Sequence, residues 1–202
     1  NGNGGYMYES EPCIMHEDYN ENTLENDIGL IEIVHAFEFS DAVVPACLMT
    51  EEMKSGGMFN LYYPDEQMTY ATNEAWVTGW GATYEGQTDG YPDPFYMQKV
   101  NVPFVPESTC ANNDSPGASV MPDGMFCGGP SQGGRDSCQG DSGGGAYCNG
   151  ICYGIVMGGL YCADENYPGV YTVISKYVPW AVSVIKSLMA QGKGKKGGRK
   201  KK

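Results

Sequence analysis

Positive charge is scarce over most of this 202-residue chain. Seven of the 12 Lys and Arg crowd the last ten residues (Lys193, Lys195, Lys196, Arg199, Lys200, Lys201 and Lys202). Residues 1–192 therefore carry 5 basic against 25 acidic side chains, a balance of −20. Such a body repels nucleic acid and draws cationic partners at long range. The Lys/Gly-rich end, residues 191–202, reads as a solvated, disordered tail, with polyanion contact the weaker alternative. Only two histidines, His16 and His35, are present and no C-x-x-C pair, which leaves zinc few ligands. No apolar run reaches the roughly 18 residues a membrane-crossing helix needs. The longest, Ile151–Leu160, is interrupted by three glycines. An initiator Met and an apolar leader are both missing from the opening Asn1-Gly2-Asn3-Gly4-Gly5.

Apolar and turn-forming residues are plentiful. The chain is 41% hydrophobic and 12% aromatic, too apolar for a disordered polymer. Its 29 Gly and 12 Pro favour short strands over long helices. Residues 28–34 read as a buried strand, 42–49 as a second apolar stretch ending at Cys47, and 51–75 as a linker or large loop. Strand-like runs follow at 75–80, 96–105, 119–126, 146–148, 151–157 and 169–174, separated by turn signals such as Pro122-Asp123-Gly124 and Asn149-Gly150. This pattern predicts an all-β sandwich or barrel. After Pro179, which suits a first helical turn, Val178, Ala181, Val182, Ile185 and Leu188-Met189 recur at helical spacing and predict one C-terminal amphipathic helix. Eight cysteines suit an oxidising compartment, so a secreted, extracellular protein with a processed or missing N-terminus is expected.

The most informative stretch is Gly133-Gly134-Arg135-Asp136-Ser137-Cys138-Gln139-Gly140-Asp141-Ser142-Gly143-Gly144. Glycines around a serine let the backbone turn sharply and leave N–H groups free to hold an oxyanion. Gly140-x-Ser142-x-Gly144 also fits the nucleophile elbow of α/β-hydrolases, which requires a preceding strand, a following helix and a histidine after the serine. A polar Cys/Gly loop precedes Ser142, a strand follows, and no histidine lies beyond His35, so that reading fails.

Cys138-Gln-Gly-Asp-Ser142-Gly-Gly resembles the nucleophile motif of the trypsin/chymotrypsin family of serine proteases. Further blocks match in order: Tyr19 to Asp27-Ile28, Trp76-Val-Thr-Gly79-Trp80-Gly81, Gly124-Met-Phe-Cys127, Gly154-Ile-Val and Tyr167-Pro-Gly169-Val-Tyr171. The likeness runs from about Cys13 to Met189 and implies an all-β, trypsin-like double β-barrel with a C-terminal helix. On this resemblance, residues 1–50 are the remnant of the N-terminal barrel, 51–75 the inter-barrel linker, and 76–190 the C-terminal barrel. Ser142 is then the nucleophile and Asp27 the carboxylate that orients a histidine. The N–H groups of Gly140 and Ser142 form the oxyanion hole. Asp141 receives a new N-terminal ammonium on activation. Asp136 forms the base of the specificity pocket with Gly159 and Gly169 as walls, which implies cleavage after Arg or Lys.

The resemblance also implies disulfides Cys110–Cys127 and Cys138–Cys162. It implies no cofactor, polypeptide substrates, and an N-terminal segment or light chain joined through Cys47. Cys13 is left unassigned. Ala75 stands where the usual partner of Cys148 would be, and Cys148–Cys152 across the Asn149-Gly150 turn is a substitute if geometry allows it. The family's histidine, in an Ala-Ala-His-Cys context upstream of the aspartate, has no counterpart here. His16 and His35 read as surface or barrel-edge residues. Met157, Gly158 and Gly145 stand where the family has Ser, Trp and Pro. These residues imply a trypsin-like serine endopeptidase, incomplete and inactive as this chain alone. The rival reading is a non-catalytic homologue that binds partners.

Overall fold

A computed structural model describes residues 7–55, 74–87, 96–105, 110 and 124–196. Its centre is a barrel of six antiparallel-paired strands. Strand β4 (Glu74–Gly79) alternates in burial, with Ala75 and Val77 turned to the core and Trp76 outward. It pairs with β5 (Gln98–Val105), which places Val102 beside Ala75 and Val100 beside Val77. From β5 the ladder continues through β6 (Met125–Gly128) to β9 (Gly169–Val173). From β4 it runs the other way through β7 (Gly145–Cys148) to β8 (Ile151–Gly158). Pairing of β8 with β9 closes the ring, so the sheet leaves few unpaired edges.

Strand β8 can serve two neighbours because it is eight residues long. Its first residues pair with β7 on one edge, and Gly154–Gly158 meet β9 on the other, with an irregularity between Val156 and Gly158. The edge that β9 leaves open at Ile151–Cys152 is taken by β3 (Cys47–Leu48), in parallel. The short α1 (Glu51–Ser55) follows, where Thr50 Oγ1 accepts from the Met53 N–H at 3.2 Å as a capping contact. The rest of the expected 51–75 linker, residues 56–73, lies outside the described residues.

The barrel core is aromatic at its centre. Phe126 stacks on Tyr171 (4.9 Å, 15°) and meets Tyr153 edge-on at 4.9 Å and Phe104 at 5.2 Å. Gly154 is required here, because the Phe126 ring fills the space that a Cβ would take. A second cluster joins Cys110, Met125, Cys127 and Val170 to Leu24, Val105 and Met157. Leu24 brings the N-terminal segment against the barrel.

That segment is sparse. Strands β1 (Ile14–Met15) and β2 (Gly29–Leu30) form a two-stranded antiparallel sheet. The apolar run 28–34 thus yields only two strand residues, and Ile31 is 67% exposed, against the expectation of burial. Alternation alone cannot bury a strand; a packed second layer must do so, and none covers Ile31 among the described residues. The segment is held instead by polar and aromatic contacts to the C-terminal helix, α2 (Ile174–Lys196). Tyr177 Oη donates to Asn26 Oδ1 at 3.2 Å, and Trp180 Nε1 donates to Glu17 Oε2 at 2.8 Å.

Helix α2 begins five residues before Pro179, directly out of β9. Pro179 therefore sits in the second turn, where its missing N–H deprives the Ser175 carbonyl of a helical donor. The helix also continues to Lys196, six residues into the stretch read as tail. Of its apolar stripe, Val182, Ile185 and Met189 are exposed, while Val178, Ala181 and Leu188 are half-buried.

Both implied disulfides are present, Cys110–Cys127 and Cys138–Cys162. Cys148–Cys152 is not formed: Cys148 pairs with Ile151 across the hairpin, and Cys152 pairs with Tyr147. Strand alternation then sends the two thiols to opposite faces. Cys148 joins the core cluster that also contains Ala75, and Cys13 and Cys47 are exposed free thiols. Phe126→Ala should cost about 3–5 kcal/mol by urea denaturation, because it empties the centre of the aromatic cluster. Ile31→Ala should change the unfolding free energy in the same measurement by no more than about 0.5 kcal/mol.

Candidate active site

The Ser142 loop is organised by one carboxylate. Asp141 Oδ1 accepts from the Gly81 N–H at 2.9 Å, and Oδ2 accepts from the Cys138 N–H at 3.0 Å. The fit leaves no room at Gly81, where a Cβ would lie 2.6 Å from Asp141 Cγ and 2.7 Å from the Gln139 carbonyl. The Ala82 N–H binds that same Gln139 carbonyl at 2.8 Å. On the far side of Ser142, the Gly143 N–H donates to the Val156 carbonyl and the Val156 N–H to the Gly144 carbonyl, both at 2.8 Å. The turn between these anchors needs Gly140 at φ +94 and Gly143 at φ +84, a region that suits glycine.

Ser142 is left exposed, its Oγ donating to the Met157 carbonyl at 3.4 Å. The Gly140 and Ser142 N–H groups have no protein acceptor among the described residues. An exposed hydroxyl beside two uncommitted backbone donors can attack a carbonyl and hold the resulting oxyanion.

Ser142 and Asp136 line one cavity of about 200 Å³, with Val156, Gly158, Gly159 and Tyr161. Asp136 accepts from the Ser137 N–H at 2.7 Å and the Ala163 N–H at 3.2 Å. Burial pushes its carboxyl up to about 6, against these two hydrogen bonds, and Asp141 adds to the rise. Gly169 abuts Asp136, and a Cβ on Gly159 would lie 3.6 Å from Gly169 Cα, so the two glycines adjoin each other. The neighbouring Arg135 does not neutralise Asp136. Its guanidinium lies 3.9 Å from Glu74 and bonds Asn101. A larger cavity of about 460 Å³ shares Asp136, Cys138 and Cys162 and adds Asp141 and Glu85. Neither Asp136 nor Asp141 has a cationic partner among the described residues.

Asp27 is half-buried, and burial raises its pKa. Its carbonyl accepts from Thr172 Oγ1 at 2.9 Å, which ties it to β9. Asp27 and Ser142 are thus held by adjacent strands, through Thr172 and Met157 respectively, without touching each other. No imidazole contacts either residue among the described ones. His16 lies against Trp180 (4.9 Å) and Tyr177 (5.6 Å) on α2, and its Nδ1 accepts from the Asp18 N–H at 3.2 Å. His35 is exposed. Met157 packs in the cluster that contains Leu24, so a thioether stands where the resemblance implied a hydroxyl. A Cβ at Gly158 would meet nothing within 4 Å, and the space beside Gly145 is filled by the Tyr147 ring.

Two contributors escaped the sequence reading. Glu85 Oε2 accepts from the Cys162 N–H at 2.6 Å, across 77 residues, and Tyr161 lines the Asp136 cavity. Neither stands in a recognisable motif.

A closed barrel carrying an exposed serine and a half-buried aspartate places the chain in the class of chymotrypsin-like folds. The chain belongs to the trypsin family, whose model matches residues 2–181. It is 38% identical over 179 residues to "Trypsin" of Xenopus laevis, covering 89% of this chain and 64% of that protein. Similarity to "Trypsin-1" of Astacus astacus is 40% over 171 residues, 83% of this chain and 63% of the relative. For "Trypsin Blo t 3" of Blomia tropicalis it is 36% over 179 residues, 88% and 61%. The chain spans less than two thirds of the length of these relatives.

Gly81→Ala should destabilise the chain by about 1–3 kcal/mol in urea, because the new methyl displaces both Asp141 and a backbone carbonyl. Gly158→Ala enters open space and should shift stability by no more than about 0.5 kcal/mol.

Proposed function

We propose that this chain is the larger part of a secreted serine endopeptidase that cleaves after Arg or Lys through an acyl-enzyme. The observation that carries the reading is the shared cavity. A carboxylate without a cationic partner among the described residues lines the same cavity as the exposed Ser142. A half-buried anion is stabilised by a guanidinium or ammonium that donates hydrogen bonds to it, and few other side chains can compensate its desolvation. With Arg or Lys seated on Asp136, the scissile carbonyl would meet Ser142 Oγ. The N–H groups of Gly140 and Ser142 would stabilise the developing oxyanion.

The proton of Ser142 needs an acceptor. His16 is occupied on α2, so the base would be an imidazole supplied from outside this sequence, oriented by Asp27. Oγ then forms the ester, the protonated imidazole returns its proton to the leaving amine, and water hydrolyses the acyl-enzyme. Nothing in this sequence of steps calls for a metal or organic cofactor. The larger cavity beside Asp141 would take an N-terminal ammonium on activation, replacing backbone N–H groups as its partner. The exposed Cys47 thiol suits a disulfide to a light chain, and the two disulfides suit an extracellular setting.

A second reading, a non-catalytic homologue that binds partners, has its own support. Met157 packs in an apolar cluster and offers Asp27 no hydroxyl, and Gly158 leaves the cleft side open.

Binding of the fluorescent cation p-aminobenzamidine tests the pocket on this chain. The ionised Asp136 binds, so affinity should rise with pH through about 6 and level off above it. The sign for stability is the reverse. Because the folded carboxyl titrates above its ordinary 3.8, the folded state holds more protons between the two values, and ionisation lowers stability as pH rises through that window. A bound cation offsets this loss, so the thermal shift it produces should be larger at pH 8 than at pH 5. Asp136→Ser should abolish both effects; binding that survives it would refute the pocket assignment. Separately, the chain alone should neither hydrolyse an arginyl ester nor label quickly at Ser142 with a fluorophosphonate, since an unassisted hydroxyl is a weak nucleophile. Rapid stoichiometric labelling would mean that a base within this sequence serves Ser142.

A further inference from the structure

The wall of the Asp136 cavity carries one aromatic side chain among the described residues that line it, Tyr161. It is 45% exposed, and the Tyr167 ring meets it edge-on at 5.1 Å and 69°. The backbone beside it is unusually well anchored. Cys162 is bonded to Cys138, and its N–H donates to Glu85 at 2.6 Å. The next N–H, of Ala163, donates to Asp136 itself at 3.2 Å, and the Ala163 carbonyl accepts from the Gly134 N–H at 2.8 Å. On the other side, Gly158 and Gly159 offer no side chain to the cavity. Tyr161 is therefore a half-exposed aromatic residue, braced by a second ring, that lines the same cavity as the half-buried Asp136.

We propose that Tyr161, braced by Tyr167, is a specificity-determining residue that makes this pocket prefer Arg over Lys. The proposal rests on the reading of Asp136 as the cation-binding base. Asp136 alone discriminates weakly, since it attracts either cation. A guanidinium is flat, delocalised and weakly hydrated, and it stacks on an aromatic ring while its fork bonds a carboxylate. An ammonium is compact and strongly hydrated, so passing beside a ring gives it less. Glu85 acts one step removed, as a positioning residue that holds the Cys162 backbone next to Tyr161.

The test uses this chain, with p-aminobenzamidine as the reporter and Nα-acetyl-arginine amide and Nα-acetyl-lysine amide as competitors. In the wild type the arginine derivative should displace the probe at lower concentration. Tyr161→Ala should reduce the Arg-to-Lys affinity ratio about three- to fivefold. Tyr161→Phe, which keeps the ring, should retain the ratio, and Tyr167→Ala should lower it less than Tyr161→Ala does. Thermal unfolding of each variant separates lost folding from lost selectivity; if Tyr161→Ala does not fold, Tyr161→Leu provides the ring-free comparison. An unchanged ratio in a folded ring-free variant, with probe binding still abolished by Asp136→Ser, would overturn the rim assignment alone. Probe binding that is absent from the wild type, or unaffected by Asp136→Ser, would overturn both the pocket reading and the rim with it.

Discussion

Much of the site depends on the Asp141 carboxylate and the two backbone N–H groups that hold it. Its oxygens reach Gly81 in the segment after β4 and Cys138 in its own loop, so one side chain joins two stretches 60 residues apart. Charge-assisted bonds of this kind are stronger than neutral ones, and a carboxylate so held cannot be replaced by an apolar side chain without leaving donors unpaired. The glycine at 81 follows from the same contact, as does the tight turn that exposes Ser142. Asp141 also lines the larger cavity, so a cation arriving there would compete directly with the bonds that set the loop.

The barrel provides the second constraint. Ser142 and Asp27 are distant in sequence, and each is attached to the barrel through a different strand, β8 by way of Met157 and β9 by way of Thr172. These two strands are neighbours in the closed ring. The N-terminal segment has little core of its own and takes its position from α2 and from the cluster around Leu24. The asymmetry is physical. The C-terminal barrel buries two faces of apolar side chains against each other, whereas the two-residue strands β1 and β2 cannot.

Two carboxylates of the site are each held by a pair of backbone donors. Asp141 is satisfied by two backbone donors, one to each oxygen. Asp136 also has two, yet burial pushes its carboxyl up to about 6. Glu85 bonds the Cys162 N–H, next to the Ala163 N–H that bonds Asp136.

The sequence by itself determined the all-β class of the fold, the places of several barrel strands along the chain and the glycine-rich turn around Ser142. Those rest on local information: alternation, turn residues, and a run of glycines around a serine. Residues 75–80, 151–157 and 169–174 each became a strand within two residues of their expected bounds. Local information misjudged 28–34, which is apolar but lacks a covering layer, and the start of α2, where β9 feeds the helix before Pro179. It could not decide whether Cys148 meets Cys152, since the answer turns on hairpin register. Nor did it reveal Tyr161 or Glu85. Glu85 meets the site through the Cys162 N–H, 77 residues on, and Tyr161 through the cavity it shares with Asp136, and both are tertiary contacts.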